Sequence, residues 1–437
     1  MSTAQTVRVL LRCSLLLAIF IVVAIVSSPS HSAAPDPGFS QVLRDEGLTV
    51  RGDNYEIVPP VLRDGTLLVY NLKVQGKTYK VHGTATLKKR INELYAVENI
   101  EKLDTVSQAG EGVVTAVAKP LRFLGNLVTA PKQTLSSTVD GVGLLYNGTV
   151  NAINGKAGTT ARSQGDPQEP STVKSIAAAV VGRDKARRYI AVAANVDPYT
   201  TFPPLSDALD EAAWAYATSN RLTNLATIFI PGGVGTAVYG VVTTTNFSES
   251  LKASPTVADE TMREMLSEMA IPQPATQAFL SATSMTRGEK IVFVASLKAL
   301  KGVQGRSALV DQVSRKGVSQ DAGYYYLLGL MMIADYHIDS ERLVSVELVD
   351  GVPVGTTRTG RKVAFVAGDR IGWDAQQSAT MLDIAGRISH ARSETGTNAL
   401  RVLGLVHPML KTELGAMNWV IREKAPLATF AEIDVTS

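Results

Sequence analysis

The stretch Tyr55-Glu56-Ile57-Val58-Pro59-Pro60-Val61, Asp64-Gly65, Thr66-Leu67-Leu68-Val69-Tyr70-Asn71-Leu72-Lys73-Val74, Gln75-Gly76 and Thr78-Tyr79-Lys80-Val81-His82 decides the fold class. Its runs are rich in β-branched and aromatic residues, and two short glycine-containing turns separate them. Glycine accepts positive φ and aspartate or asparagine tolerates it, so Asp-Gly between such runs is a strong hairpin signal. The reading is a small β-meander. From Thr86 to Leu103 the spacing changes to helical, with Leu87, Ile91, Leu94 and Leu103 on one stripe.

A second meander is expected at 342–367. Its strands are Leu343 to Val349, Val352 to Thr356 and Lys362 to Val366, joined at Asp350-Gly351 and Thr359-Gly360. Helices fill most of the rest: Val173 to Ala194, Leu205 to Ile230, Thr256 to Ala270, Thr286 to Leu300, Asp321 to His337, Ala375 to Arg392 and Asn398 to Lys424. Ser254 before Pro255 reads as an N-cap followed by first-turn proline, and Thr286 with Glu289 has capping-box spacing. The class is therefore α+β and mainly helical, with a small N-terminal meander, an amphipathic region and a larger helical domain holding the second meander.

The expected organisation follows from composition. Residues 1–33 form a signal peptide, 41–105 the meander plus helix, 106–153 the amphipathic region, 154–172 a Gly/Ser/Thr/Pro-rich flexible linker, and 173–437 the helical domain. The signal peptide rests on Arg8 and Arg12, the apolar run Leu15 to Val26, and small residues leading to a cut near Ala33. The apolar run is shorter than the roughly 20 residues that a membrane span needs. The expected location is thus the periplasm or the exterior, in the cell envelope of a bacterium.

Cys13, the single cysteine, falls inside that segment, so the mature chain would be free of disulfides. Lys and Arg number 43 against 40 Asp and Glu, and loss of Arg8 and Arg12 leaves 41 against 40. A balance this even gives no general drive toward phosphate backbones, so nucleic acid is not an expected partner.

The most regular pattern runs from 113 to 153. Val113, Leu124, Leu135 and Tyr146 are spaced by eleven, as are Val117, Val128, Val139 and Val150, with Leu121 and Val142 on the same side. Eleven residues make almost three helical turns, so the stripe does not drift. The other side is mostly Thr, Ser, Asn and Gly with Lys119, Arg122 and Lys132, while Pro120 and Pro131 favour several short helices over one rod. Such a face suits a lipid surface or an unknown protein partner, and packing against the protein's own helices is the plainer alternative.

Catalytic signatures are sparse. Gly76-Lys77-Thr78 lacks the glycine of a phosphate loop at Asn71 and joins two strands, and Gly232-Gly233-Val234-Gly235 lacks dinucleotide spacing, so no nucleotide or other cofactor is expected. No metal site is expected either. His337 sits two residues from Asp335 and Asp339, off their shared face, and the group reads as solvated helix-end charges. Tyr324-Tyr325-Tyr326 leading into Leu327 and Met332 reads as a core helix, and Arg183, Lys185, Arg187 and Arg188 as an exposed basic face. No nucleophile elbow is present, and the catalytic residues stay unassigned.

The candidate small-molecule loop is Asp369, Arg370, Trp373 and Asp374, where two carboxylates and an indole leave the second meander; Asp374 also fits a helix N-cap. The leading functional expectation is a non-enzymatic exported protein that binds a partner or membrane surface through 113–153. An envelope hydrolase with a site near Asp369 and Asp374 is the alternative.

Overall fold

A computed structural model describes residues 38–108, 172–194, 196–218, 250–390 and 397–428. The expected signal peptide, the eleven-residue stripe, most of the expected linker and the Gly232–Gly235 run lie outside the described residues. The chain opens with α1 (Phe39–Asp45), then β1 (Glu56–Asp64), β2 (Leu67–Val74), β3 (Lys77–His82) and α2 (Thr84–Gln108). The three strands form an antiparallel sheet in sequence order. Gln75 and Gly76 both take positive φ, 46° and 81°, as the primed hairpin turn requires. Register shifts between Val58 and Leu62, where the two prolines supply no ladder N–H.

Helices α3 (Thr172–Ala193) and α4 (Pro203–Thr218) come next. Ile190, Leu205 and Leu209 join Tyr70, Leu72, Leu87 and Ile100 in one buried cluster. The N-terminal meander and these helices therefore share a core, although the expected linker separates them in sequence. Arg187 belongs to that packing and not to a bare face: it donates to Pro198 O at 3.0 Å and Ser206 O at 2.9 Å and pairs with Asp210 at 2.6 Å.

The second body begins with α5 (Pro255–Glu268), α6 (Gln273–Ser281), α7 (Arg287–Ala299), α8 (Arg306–Ser314) and α9 (Gln320–Asp335). Ser254 caps α5, and the Thr286–Glu289 capping box forms at α7 in both directions. Tyr324 to Met332 lies in the core of α9 except for partly buried Tyr326. A π-helical turn, Tyr336–Ser340, ends α9 and buries His337, whose Nδ1 accepts from Leu343 N at 3.0 Å. Burial and the Arg342 charge push that imidazole down to about 4, so it is a neutral acceptor and not a solvated helix-end charge.

Strands β4 (Leu343–Val349), β5 (Val352–Thr357) and β6 (Lys362–Val366) form the expected meander, turning at Asp350-Gly351 with φ of 49° and 80°. They belong to a five-stranded sheet of order β10-β8-β6-β5-β4. After β7 (Arg370–Ile371) and α10 (Ala375–His390) come β8 (Asn398–Val402), β9 (Leu405–Val406), α11 (Pro408–Ala416) and β10 (Trp419–Arg422). The helix expected over Asn398 to Lys424 is thus two parallel strands of the sheet, β8 and β10, with β9 and a nine-residue helix between them.

The physical reason is burial on both faces. Ala399 contributes to the central cluster on one side and Leu400 and Val402 to the α10/α11 cluster on the other, so β8, Asn398-Ala399-Leu400-Arg401-Val402, carries apolar residues on both faces and shows no apolar/polar strand alternation. Gly404 and Pro408 mark the breaks, with Pro408 at the first turn of α11. In β6 the alternation is plain, since Val363 and Phe365 face the α5–α9 layer and Ala364 the other.

A buried ionic network ties the two bodies together. Lys89 Nζ of α2 donates to Glu289 Oε1 of α7 at 2.6 Å and lies 4.8 Å from the Tyr324 ring. Glu93 accepts from Thr200 at 2.8 Å and pairs with Arg90 at 2.7 Å. Asp197 accepts from Tyr199 N at 2.8 Å and from the Thr286 hydroxyl. A Cβ on Gly288 would run into the Asp197 carboxylate, so glycine is required there.

Burial pushes Asp197 up to about 6; the Lys89 charge opposes this, Glu289 reinforces it, and the hydrogen bonds from Thr286 and Tyr199 oppose it again. A carboxyl raised in the folded state binds its proton more tightly folded than unfolded. Its stabilising contribution is therefore complete below the unfolded value near 4 and is lost as pH rises through about 6. We expect Asp197→Asn to remove this slope and to be more stable than wild type above that window, by on the order of 3 kcal/mol at most. Urea midpoints of both proteins across the window check it, and parallel profiles would refute it.

Candidate functional site

Ala367, Gly368 and Asp369 follow β6, Leu403 and Gly404 follow β8, and Glu423 and Lys424 follow β10. The candidate loop thus sits at the carboxyl ends of the three parallel strands, the place where open α/β sheets bind ligands. Here protein fills it. Asp369 N and Arg370 N both donate to Thr66 O, at 2.9 and 3.0 Å, and Gly368 packs against Thr66 too closely for a Cβ.

Asp369 is 4% exposed, and its carboxylate is fully engaged. Oδ2 accepts from Leu68 N at 2.8 Å and Thr84 N at 2.9 Å, and Oδ1 accepts from Tyr325 Oη at 2.6 Å. The same hydroxyl accepts from Ala85 N at 3.2 Å. The Tyr325 ring lies so close to Gly83, whose φ is +95°, that no Cβ fits there. Burial raises the Asp369 carboxyl above its usual range, and the bonds from Tyr325, Leu68 and Thr84 and the Lys88 charge counter it.

Arg370, 2% exposed, pairs with Asp45 and Glu46 of the α1 end, both at 3.2 Å, and lies over the Trp373 ring at 5.1 Å. Trp373 also meets His407 edge-on at 5.3 Å. Lys424 reaches Asp45 O at 3.3 Å. Burial holds Glu46 above and Lys88 below their ordinary values: the Asp369 charge adds to the shift of Glu46, while Glu46 and Lys88 each moderate the other's. Among the described residues, buried Arg370 Nε and Trp373 Nε1 have no hydrogen-bond partner, and Glu46 Oε1 meets Arg370 as an ion pair only.

Asp374 stands apart from the knot as the N-terminal cap of α10, accepting from Gln377 N at 2.8 Å. The structure therefore brings Asp369, Arg370 and Trp373 together and leaves Asp374 to the helix. The groups absent from the reading of this loop are Glu46 and Lys88, which lie in the N-terminal module, and Tyr325, 44 residues before Asp369 in α9; a buried-helix reading of Tyr325 carries no hint of a carboxylate partner. The stripe residues Val113 to Val150 lie outside the described residues. Among the described residues, no group of three or more His, Cys, Asp or Glu could hold a metal, and no helix is long and apolar enough to cross a membrane. No protein-family model, curated protein or solved structure matches the chain.

Chemically the knot is a clamp: one carboxylate ends three hydrogen bonds from two modules. Removing it orphans two backbone N–H groups and a buried hydroxyl, each costing about 1–3 kcal/mol. Asp369→Ala should destabilise the protein by about 3–5 kcal/mol, and Asp369→Asn, which keeps an oxygen for the two amides, by clearly less. Chemical denaturation measures both, and equal losses would contradict the assignment.

Proposed function

We propose that the protein is an exported, non-catalytic binding protein that engages a membrane surface or a protein partner through residues 113–153. The observation that supports this over envelope hydrolysis is the engagement of the Asp369 carboxylate by three hydrogen bonds at 4% exposure, with Asp374 committed to a helix cap. A hydrolytic carboxylate has to reach water or substrate, and neither group is free to do so. The eleven-residue stripe supports the binding role, because a non-drifting apolar face beside Lys119, Arg122 and Lys132 matches a lipid–water boundary or a partner groove. The segment lies between α2 and α3, which both pack on α4, so it leaves and rejoins one core.

Deleting 113–153 from the full chain is the test. Full-length protein should co-sediment with anionic vesicles, or cross-link to one specific envelope protein, and the deletion should lose that association while keeping its thermal transition. Unchanged association after deletion would overturn the reading.

A further inference from the structure

The parallel register of β8 and β10 pairs Arg401 directly with Arg422 and Ala399 with Val420. Paired residues of neighbouring strands point to the same face, so two guanidiniums stand side by side. Like charges so placed are unfavourable unless something between them is negative. They line a cavity of about 400 Å³ with Tyr336 and Ser340 of the π-helical turn and Arg361 at the head of β6. Three arginines thus converge on one space, with Glu341 the only carboxylate in its wall among the described residues.

The described residues supply only part of the missing charge. Arg401 lies 3.6 Å from Asp335, donates to Ser340 Oγ at 2.7 Å and sits 4.7 Å from the Tyr336 ring, so it is held in place. Burial, together with the Arg422 and Arg361 charges, holds its guanidinium below the ordinary value, against the pull of Asp335 and Tyr336. Glu341 is satisfied by Thr359 at 2.8 Å and Tyr336 at 3.2 Å, beside Arg361. The Nε of Arg361 is buried without a hydrogen-bond partner among the described residues. Arg422 has no ion pair among the described residues, and its neighbour Glu423 is taken by Lys411 at 2.7 Å and Val406 N at 2.6 Å. Val420, 52% exposed, adds an apolar wall.

We propose that this cavity is a binding site for a small organic oxyanion, with a phosphate or carboxylate head held between Arg401, Arg422 and Arg361. Its apolar part lies against Tyr336 and Val420. Guanidinium forks match both head groups in a bidentate manner, the cavity is of small-ligand size, and π-helical turns recur at functional sites. The site lies apart from both the Asp369 knot and the 113–153 stripe, so it stands or falls independently of the proposed function.

Calorimetry and thermal melts of the full chain with phenyl phosphate, benzoate and inorganic phosphate test it. Saturable binding of phenyl phosphate or benzoate is expected, tighter than that of inorganic phosphate. Arg422→Gln should weaken it about ten-fold or more, while Arg263→Gln, which removes an exposed charge elsewhere, leaves it unchanged. In anion-free buffer Arg422→Gln should melt at or above the wild-type temperature, because it relieves the like-charge pair, and it should lose the upward shift that the ligand gives wild type. A purely structural arginine would instead lower the melting temperature. Absence of saturable binding to all three probes, or equal weakening by the two variants, would overturn the proposal. Preference for inorganic phosphate would overturn the organic part of the ligand.

Discussion

The Asp369 carboxylate accepts one hydrogen bond from the start of β2 in the N-terminal module, one from the first residue of α2 and one from a tyrosine deep in α9. The farthest of these donors, Leu68, lies 301 positions from Asp369 in sequence, yet all three meet at a group shielded from water. An ionised carboxylate in such a place is costly unless each oxygen is satisfied, and here the satisfaction is supplied only when both modules are docked. The docking is therefore specified by geometry as much as by apolar area. Displacing the N-terminal sheet by a few ångströms would strand the charge and the amides together.

The Lys89–Glu289 pair and Asp197 extend the same logic across the interface. Buried ion pairs often add little net stability compared with apolar residues of equal size, because desolvation cancels most of the attraction. Breaking one partner away from the other is expensive. A network of this kind is thus suited to fixing how α2 sits against α7, with Glu289 serving both as capping-box residue and as counter-ion. Burial raises the Asp197 carboxyl within this network, where the close approach of Gly288 and the hydrogen bond from Thr286 hold it.

Local chemistry explains what could be read from the sequence. Turns at Gln75-Gly76 and Asp350-Gly351, the caps at Ser254 and Thr286, and the core character of Tyr324 to Met332 depend on neighbours only a few residues away, and each forms as its residues suggest. The segment 398–424 failed for the opposite reason. A strand buried on both faces and a short buried helix show the same apolar density, and only pairing with β6 separates them. His337 likewise depends on the π turn, which swings it toward Leu343 N. The candidate loop was found as a place, since a glycine-bounded Asp-Arg-x-x-Trp-Asp run leaving a strand is visible, but the role of Asp369 was hidden in partners at Leu68, Thr84 and Tyr325.

The position of the loop also bears on where a ligand can go. In open sheets with parallel strands, backbone amides and loop residues at the carboxyl ends make the usual binding crevice. In this protein Thr66 O caps the turn after β6, Asp45 and Glu46 hold Arg370, and Lys424 reaches back to Asp45. The N-terminal module occupies that crevice as if it were the ligand. Space of ligand size is found instead on the sheet face beside the edge strand β10, under the π turn. There the register itself forces Arg401 and Arg422 together, and no second module covers them among the described residues. A sheet that spends its carboxyl ends on docking leaves its edge as the surface on which charge can still recruit a small anion.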